Sequence, residues 1–479
     1  MFIKKRWKMA TQHCWWVDPP PSSSGVTTSR QPHLHQWFEE KEMHILAVWT
    51  MLPWLALSCH TLPAIGSDRF PLTVAADHQH LVDASGLPFL IHGDTAWSLI
   101  AELSPEDAER YLKDRRDRGF NTLVISLIEH KFSSKAPRNH AGDAPFQLAG
   151  AFAEPLDAYF DRALWFVRRA RDYGFLVLLA PAYLGVRDSG EGWASEVAKA
   201  GPEVLEAYGA YLGTRFAGLE NIVWLQGGDD DPADRAWVEA IVRGLKRANP
   251  TALQCVHGNR ESVIREIWPE AGWIDLDTVY TYGDVTAAFR KAPRSIAPRP
   301  VIFLEGVYEN EHGANAATVR AAAYRALLSG AAGQIFGNNP VWHFSGPGVV
   351  PAPQDWIAAL DSDGARSMTH LKALFDSLEW WKIPPRTQAS SPCEPSGTAY
   401  AAARDGSYAL AYLIGNSGVR IDHRCRIAPA INARWFDPSS GRFFSAAVPR
   451  SAKRSDHYSP PSRTNAGGDT DWLLVLTAK

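Results

Sequence analysis

Eight short apolar runs, each separated from the next by a stretch with helical spacing, constrain this chain more than any other feature. They fall at residues 89–92, 122–126, 175–180, 222–225, 253–256, 276–280, 301–304 and 333–336. Continuous apolar runs with little polar alternation are the pattern of strands buried on both faces, as in a parallel sheet. Between them, Ser104-Pro-Glu-Asp107 opens a helix running to Gly119, with a serine N-cap and proline at the first helical position. Helices are also predicted over 159–173, 202–216, 232–248 and 317–329. Strand and helix alternating eight times predict a (β/α)8 barrel over residues 68–383.

The chain changes character at both ends. After Trp380-Trp381 come short alternating segments at 398–403, 407–414 and 433–438, divided by Asp405-Gly406, Gly415-Asn416 and Ser440-Gly441. These predict a small antiparallel β-sandwich over 384–479, with Asp437-Pro-Ser-Ser-Gly441 as a hairpin turn. Residues 1–42 mix basic, proline and serine residues without any period, a composition that cannot bury a core. The apolar stretch 43–59 is too short to span a bilayer, and small residues follow it through Ser67. It reads as a signal-peptide core starting at an internal methionine, so a secreted or periplasmic location is expected. Glu39, Glu40 and Glu42 on its flank leave a buried N-terminal helix as the alternative, and Ala56-Leu-Ser-Cys59 leaves a lipid anchor as another. The first 67 residues are therefore set apart from the folded domains.

Two runs stop abruptly at a carboxylate: Asn221-Ile-Val-Trp-Leu-Gln-Gly-Gly-Asp229 and Val301-Ile-Phe-Leu-Glu305. A charge inside the barrel layers would be very costly, so each must emerge at the C-terminal face, where barrel active sites lie. Two carboxylates on different strands are what glycosidic bond cleavage requires. Gly227 and Gly228 allow a sharp turn that aims Asp229 at the cleft; the plainer reading is a loop residue binding backbone amides. Asp231, before Pro232, has the look of a helix N-cap. Further polar and aromatic residues fall at the same strand ends: His92, Asp94 and Trp97; Glu129 and His130; Tyr183; Gln226; His257 and Asn259; Tyr280 and Tyr282; Glu309 and Glu311; Asn338, Asn339, Trp342 and His343. One His or Tyr alone is more often structural, and the agreement in position is the signal. The expected substrate-binding set is His92, Asp94, Trp97, Glu129, Tyr183, Gln226, His257, Tyr282, Glu309 and Trp342.

Other chemistries fit less well. A formal net charge of −3 and a pI near 6.6 give no basic field for nucleic acid and no drive towards anionic membranes. The His-x-His pairs at 33–35 and 78–80 precede the barrel strands, which disfavours a metal-dependent barrel hydrolase, and no cofactor is expected. The five cysteines show no CxxC spacing; Cys393 and Cys425 either pair or remain as two buried thiols. Nineteen tryptophans suit sugar stacking as well as core packing.

His92-Gly-Asp-Thr-Ala-Trp97, the Gly119-Phe-Asn turn, the Asp229 and Glu305-Gly-Val-Tyr-Glu309 segments and residues 319–333 together resemble the apiosidase-like family of bacterial glycoside hydrolases. The resemblance runs from about residue 70 to 375, and the remainder resembles the β-sandwich that accompanies it, labelled a collagen-binding domain. It implies a (β/α)8 glycosidase acting on pectin side chains, with an Asp on strand four and a Glu on strand seven as catalytic pair, here Asp229 and Glu305. The family commonly has Glu-Pro after strand seven and a more aromatic strand-eight loop. This chain has Glu305-Gly306 and Asn338-Asn-Pro, which keeps the pair and leaves the sugar open. The expectation is a secreted, retaining glycosidase with an oligo- or polysaccharide substrate, Asp229 as general acid/base and Glu305 as nucleophile. The alternatives are an inverting enzyme with the same pair, and a noncatalytic polysaccharide- or matrix-binding protein. Oligomeric state has no sequence signal.

Overall fold

A computed structural model describes residues 67–478, apart from 149–151, 293–297, 387–392, 394, 396, 416, 423–430 and 448–454. The leader and the 43–59 stretch lie outside the described residues. Among the described residues no helix is long and apolar enough to cross a membrane.

Three two-residue antiparallel strands, Thr73–Val74, Leu81–Val82 and Pro88–Phe89, precede the barrel. The eight barrel strands are Ile91–Thr95, Thr122–Ser126, Leu176–Ala180, Ile222–Gly227, Leu253–His257, Asp277–Tyr280, Val301–Glu305 and Gly333–Phe336. All pairings between them are parallel, and the ring is completed between strands five and six by the single bridge Cys255–Leu276. The first strand starts two residues later than its apolar run, because that run also supplies the last strand of the preceding hairpin.

Side-chain alternation sorts each strand into two cores. Ile91, Val124, Leu178, Leu225, Cys255, Ile302 and Ile335 fill the barrel interior. Leu123, Val177, Trp224, Val256, Val279 and Phe303 face outward into the layer of helices. Two of the barrel helices begin where a polar side chain caps them. Ser104 accepts the amide of Asp107 to open Pro105–Asp117, and Asp234 accepts that of Ala236 to open Arg235–Ala248. Asp231 is thus not that cap. It joins two loops, accepting from the amide of Asn259 and the hydroxyl of Ser262. Ala194–Arg215 is kinked at Gly201, whose φ is 76°, directly before Pro202.

The C-terminal part forms a five-stranded antiparallel sheet and a two-stranded one around a shared core that includes Leu413, Val419, Trp435, Tyr458 and Leu474. Asp437–Gly441 turns between Ile431–Phe436 and Phe443–Ser445, with the Asp437 carboxylate accepting the amides of Ser439 and Ser440. Cys393 is disulfide-bonded, and Cys425 lies outside the described residues. Barrel and sandwich are joined by Arg320, on the helix Ala316–Leu327. Its guanidinium forms two bonds to Asp471, at 2.9 and 2.8 Å, and one to Asp469. Tyr324, one turn on, stacks on Tyr412 at 4.8 Å between ring centroids.

Candidate active site

At the C-terminal ends of the strands lies a cleft open to solvent. Its wall is aromatic, from Trp97, Phe132, Tyr183, Tyr282, Tyr308 and Trp342, and its polar groups are mostly acidic: Glu129, Glu191, Asp229, Glu305 and Glu311. A mostly apolar hollow with a few converging polar groups is the usual form of a small-ligand site.

The fourth strand delivers Asp229 through its two glycines, for two different reasons. Gly227 has φ of 91°, and a Cβ there would stand 2.4 Å from the carbonyl oxygen of His257. Gly228 has no such dihedral, but a Cβ on it would lie 2.6 Å from the backbone nitrogen of Leu184. The close approach lets the loop after strand three, carrying Tyr183, lie against the loop after strand four. Burial raises the carboxyl of Asp229 above its ordinary value; His257 and a hydrogen bond from Tyr183 oppose the rise.

Glu305 ends the seventh strand and is 6% exposed. Burial and the nearby Asp229 charge push its pKa up to about 7, against the hydrogen bonds of His257 and Tyr308. Tyr308 itself accepts the indole N–H of Trp97 at 2.9 Å, which ties the aromatic wall to the phenol that lowers Glu305. His257, at the end of strand five, lies 2.8 Å from Glu305 Oε2 and 3.5 Å from Asp229 Oδ1 through its Nε2. Its Nδ1 faces the carbonyl oxygens of Gly228 and Gly258 at 3.0 and 3.2 Å. The two carboxylates and hydrogen bonds raise His257 to about 9 although burial pulls it down.

Asp229, His257 and Glu305 each bring one atom within 4.8 Å of the other two, the only such group with metal-ligand chemistry among the described residues. Two ligands of one tetrahedral zinc stand about 3.3 Å apart. The 2.8 Å between His257 and Glu305 is a hydrogen-bond distance, so the group reads as a shared-proton site.

Of the sequence candidates, Trp97, Tyr183, Asp229, Tyr282, Glu305 and Trp342 come together around the cavity. Five others need correcting. His92 and Asp94 sit on the outward side of the first strand: His92 stacks on Phe120 and bonds Gln334, while Asp94 is ion-paired with Arg115 at 2.8 Å and accepts the hydroxyl of Tyr111. Gln226 likewise points outward, to Gln254. Glu309 is turned away from the cavity, accepting from Asn338, from Ser362 and from the amide of Gly364 at the start of the helix Asp363–Asp376. His257 is behind the two carboxylates rather than on the cavity wall. Glu129 does reach the cavity, but its carboxylate is occupied by the amides of His130, Lys131 and Phe132 and the hydroxyl of Ser98, which makes it a loop anchor. Asn338, Asn339 and His343 bond within and around their own loop.

Sequence reasoning did not single out Tyr308, Phe132 or Glu191. Tyr308 lies inside the Glu305–Glu309 motif, so its spacing was a usable signal; Phe132 and Glu191 arrive on long loops with no local pattern. Glu311 faces the cavity with one oxygen accepting the indole N–H of Trp342 at 2.8 Å.

The model of the apiosidase-like catalytic domain matches residues 75–382, and the model named for the collagen-binding domain of a collagenase matches 391–477. No curated protein matches the sequence. Among solved structures, one described as a glycoside hydrolase is 20% identical with a TM-score of 0.70, covering 85% of this chain and 97% of its own. A glycoside hydrolase family 5 protein from Bacteroides vulgatus is 19% identical with a TM-score of 0.71, covering 85% of this chain and 93% of its own. At these identities the likeness speaks for the fold: a barrel followed by the same kind of appended sheets. With a family match extending over the whole barrel and two carboxylates at the ends of strands four and seven, the chain belongs to the apiosidase-like family and is a glycoside hydrolase.

Proposed function

We propose that this enzyme cleaves O-glycosidic bonds in plant cell-wall carbohydrate, with pectic side chains as its substrate class, by a retaining double displacement. Asp229, protonated, gives its proton to the glycosidic oxygen as Glu305 attacks the anomeric carbon. The bond to the leaving sugar breaks and a glycosyl ester forms on Glu305. Asp229, now a carboxylate, takes a proton from a water that attacks the same carbon, releasing the sugar and restoring both groups. We further propose that the enzyme acts outside the cytoplasm, on the strength of the apolar stretch 43–59.

The observation that carries the mechanism is the short reach between the acids: an oxygen of Asp229 and one of Glu305 lie within 4.8 Å. Retaining enzymes hold their carboxyl groups about 5–5.5 Å apart and inverting ones about 6.5–9.5 Å, and nearest oxygens this close support the shorter, retaining spacing. The raised Asp229 carboxyl supports its part as acid. The aromatic wall suits the apolar face of a sugar ring. Screening the purified enzyme against pectic, xylan and arabinogalactan fragments tests the substrate class. Release of sugar from pectic side chains is expected, and activity confined to xylan would overturn it.

A further inference from the structure

His257 is buried to 1% exposure, yet the chemistry just described gives it no task. Its surroundings fix its protons. Nδ1 meets only carbonyl oxygens, those of Gly228 and Gly258, which accept and cannot donate, so Nδ1 carries a hydrogen in either charge state of the ring. The 2.8 Å contact between Nε2 and Glu305 Oε2 then holds exactly one proton's worth of bonding: an imidazolium with a carboxylate, or an imidazole with a carboxylic acid. Asp229 at 3.5 Å favours the charged ring. The other titratable groups facing the ring are the phenols of Tyr280 and Tyr183, at 5.2 and 6.5 Å between ring centroids, both held neutral by burial. Arg260 and Glu191 act on Asp229 from the rim with opposite signs. The elevated basicity of the ring agrees with this arrangement.

We propose that His257 is the positioning residue of the pair: an imidazolium pinned by two backbone carbonyls that holds one oxygen of Glu305, favours the carboxylate form of that residue, and leaves the exchangeable proton to Asp229. The loop glycines serve the same end, since the carbonyl of Gly228 both precedes Asp229 and clamps the ring. The inference rests on the glycosidase reading.

The test is the pH profile of kcat/KM for His257→Gln, a neutral replacement. Removing a cation that faces both carboxylates makes the ionisation of each harder, so both limbs of the profile move up, the acidic one by about one to two pH units. Activity is then lost ten- to a hundredfold on the acidic side and largely regained at higher pH. A merely structural His257 would instead lose activity equally at all pH values, and that result overturns the proposal. Should His257→Gln fail to fold, ¹⁵N NMR of the histidine-labelled wild-type enzyme decides, the His257 signals being assigned by their response to Glu305→Gln. Both ring nitrogens protonated at pH 7 is expected; a bare Nε2 overturns it. A wild-type enzyme inactive on every glycoside would count against the glycosidase reading, and the NMR result would stand apart from that.

Discussion

Replacing Arg320 by Met should uncouple the sandwich from the barrel. The guanidinium is 1% exposed and meets Asp471 with two bonds, Asp469 with one and the Ser367 hydroxyl with another. Without it, Asp471, itself 2% exposed, keeps only neutral donors, the Tyr412 hydroxyl at 2.7 Å and the Asn465 amide at 2.8 Å. Breaking a buried pair from one side costs about 3–5 kcal/mol, and these remaining donors argue for the lower end, about 3 kcal/mol. With an unfolding entropy of about 2.1 cal/mol/K per residue over roughly 400 residues, that is a fall in Tm of about 3–4 °C if both parts unfold together. Calorimetry on wild type, Arg320→Met and the double variant Arg320→Met/Asp471→Leu measures it. The double variant should recover most of the loss, because an apolar replacement of a whole buried pair is often neutral. A single variant melting within about 1 °C of wild type would refute the reasoning. So would a double variant less stable than the single one.

Asp229→Asn and Glu305→Gln should each fold normally and lose at least about a thousandfold in kcat, each removing half of a two-carboxylate mechanism; steady-state assays with circular dichroism check this. Glu309→Gln should lower stability by about 1–3 kcal/mol, since one amide nitrogen would face donors that now meet carboxylate oxygen. Its kcat/KM should stay within about threefold of wild type, in contrast to the Glu305 variant, because it does not touch the cavity. For the wild type, Glu305 must be ionised to attack, so kcat/KM should rise with pH through about 7. It should fall again once Asp229 loses its proton, giving a bell whose limbs belong to the coupled pair.

The barrel was legible because its strands are buried on both faces and so read as unbroken apolar runs. The one displaced strand shows the limit of that signal: Phe89, Leu90 and Ile91 form a single run, and only pairing with the hairpin divides it. Both acids were legible because an apolar strand ending in a carboxylate has few explanations. The wider site was less so, since a strand end says nothing about which face a side chain takes. His92 and Asp94 follow the outward parity of the first strand, and Asp94 is kept there by Arg115, a partner one helix away. Glu309, four residues beyond the end of strand seven, carries no local pattern that says which way it faces. Its real partners, Ser362 and Gly364, lie far along the chain at the start of another helix. In strand four the positive φ of Gly227 breaks the alternation, so the direction of Asp229 depends on the glycine rather than on the pattern.

The central claim, that Glu305 is the nucleophile and Asp229 its proton donor, is tested most directly by trapping the glycosyl-enzyme. The enzyme is incubated with the 2-deoxy-2-fluoroglycosyl fluoride of a sugar it releases, digested, and the modified peptide is sequenced by mass spectrometry. A single adduct on Glu305, absent from Glu305→Gln, is predicted. An adduct on Asp229, or no adduct together with inverted product at the anomeric carbon, would contradict the account.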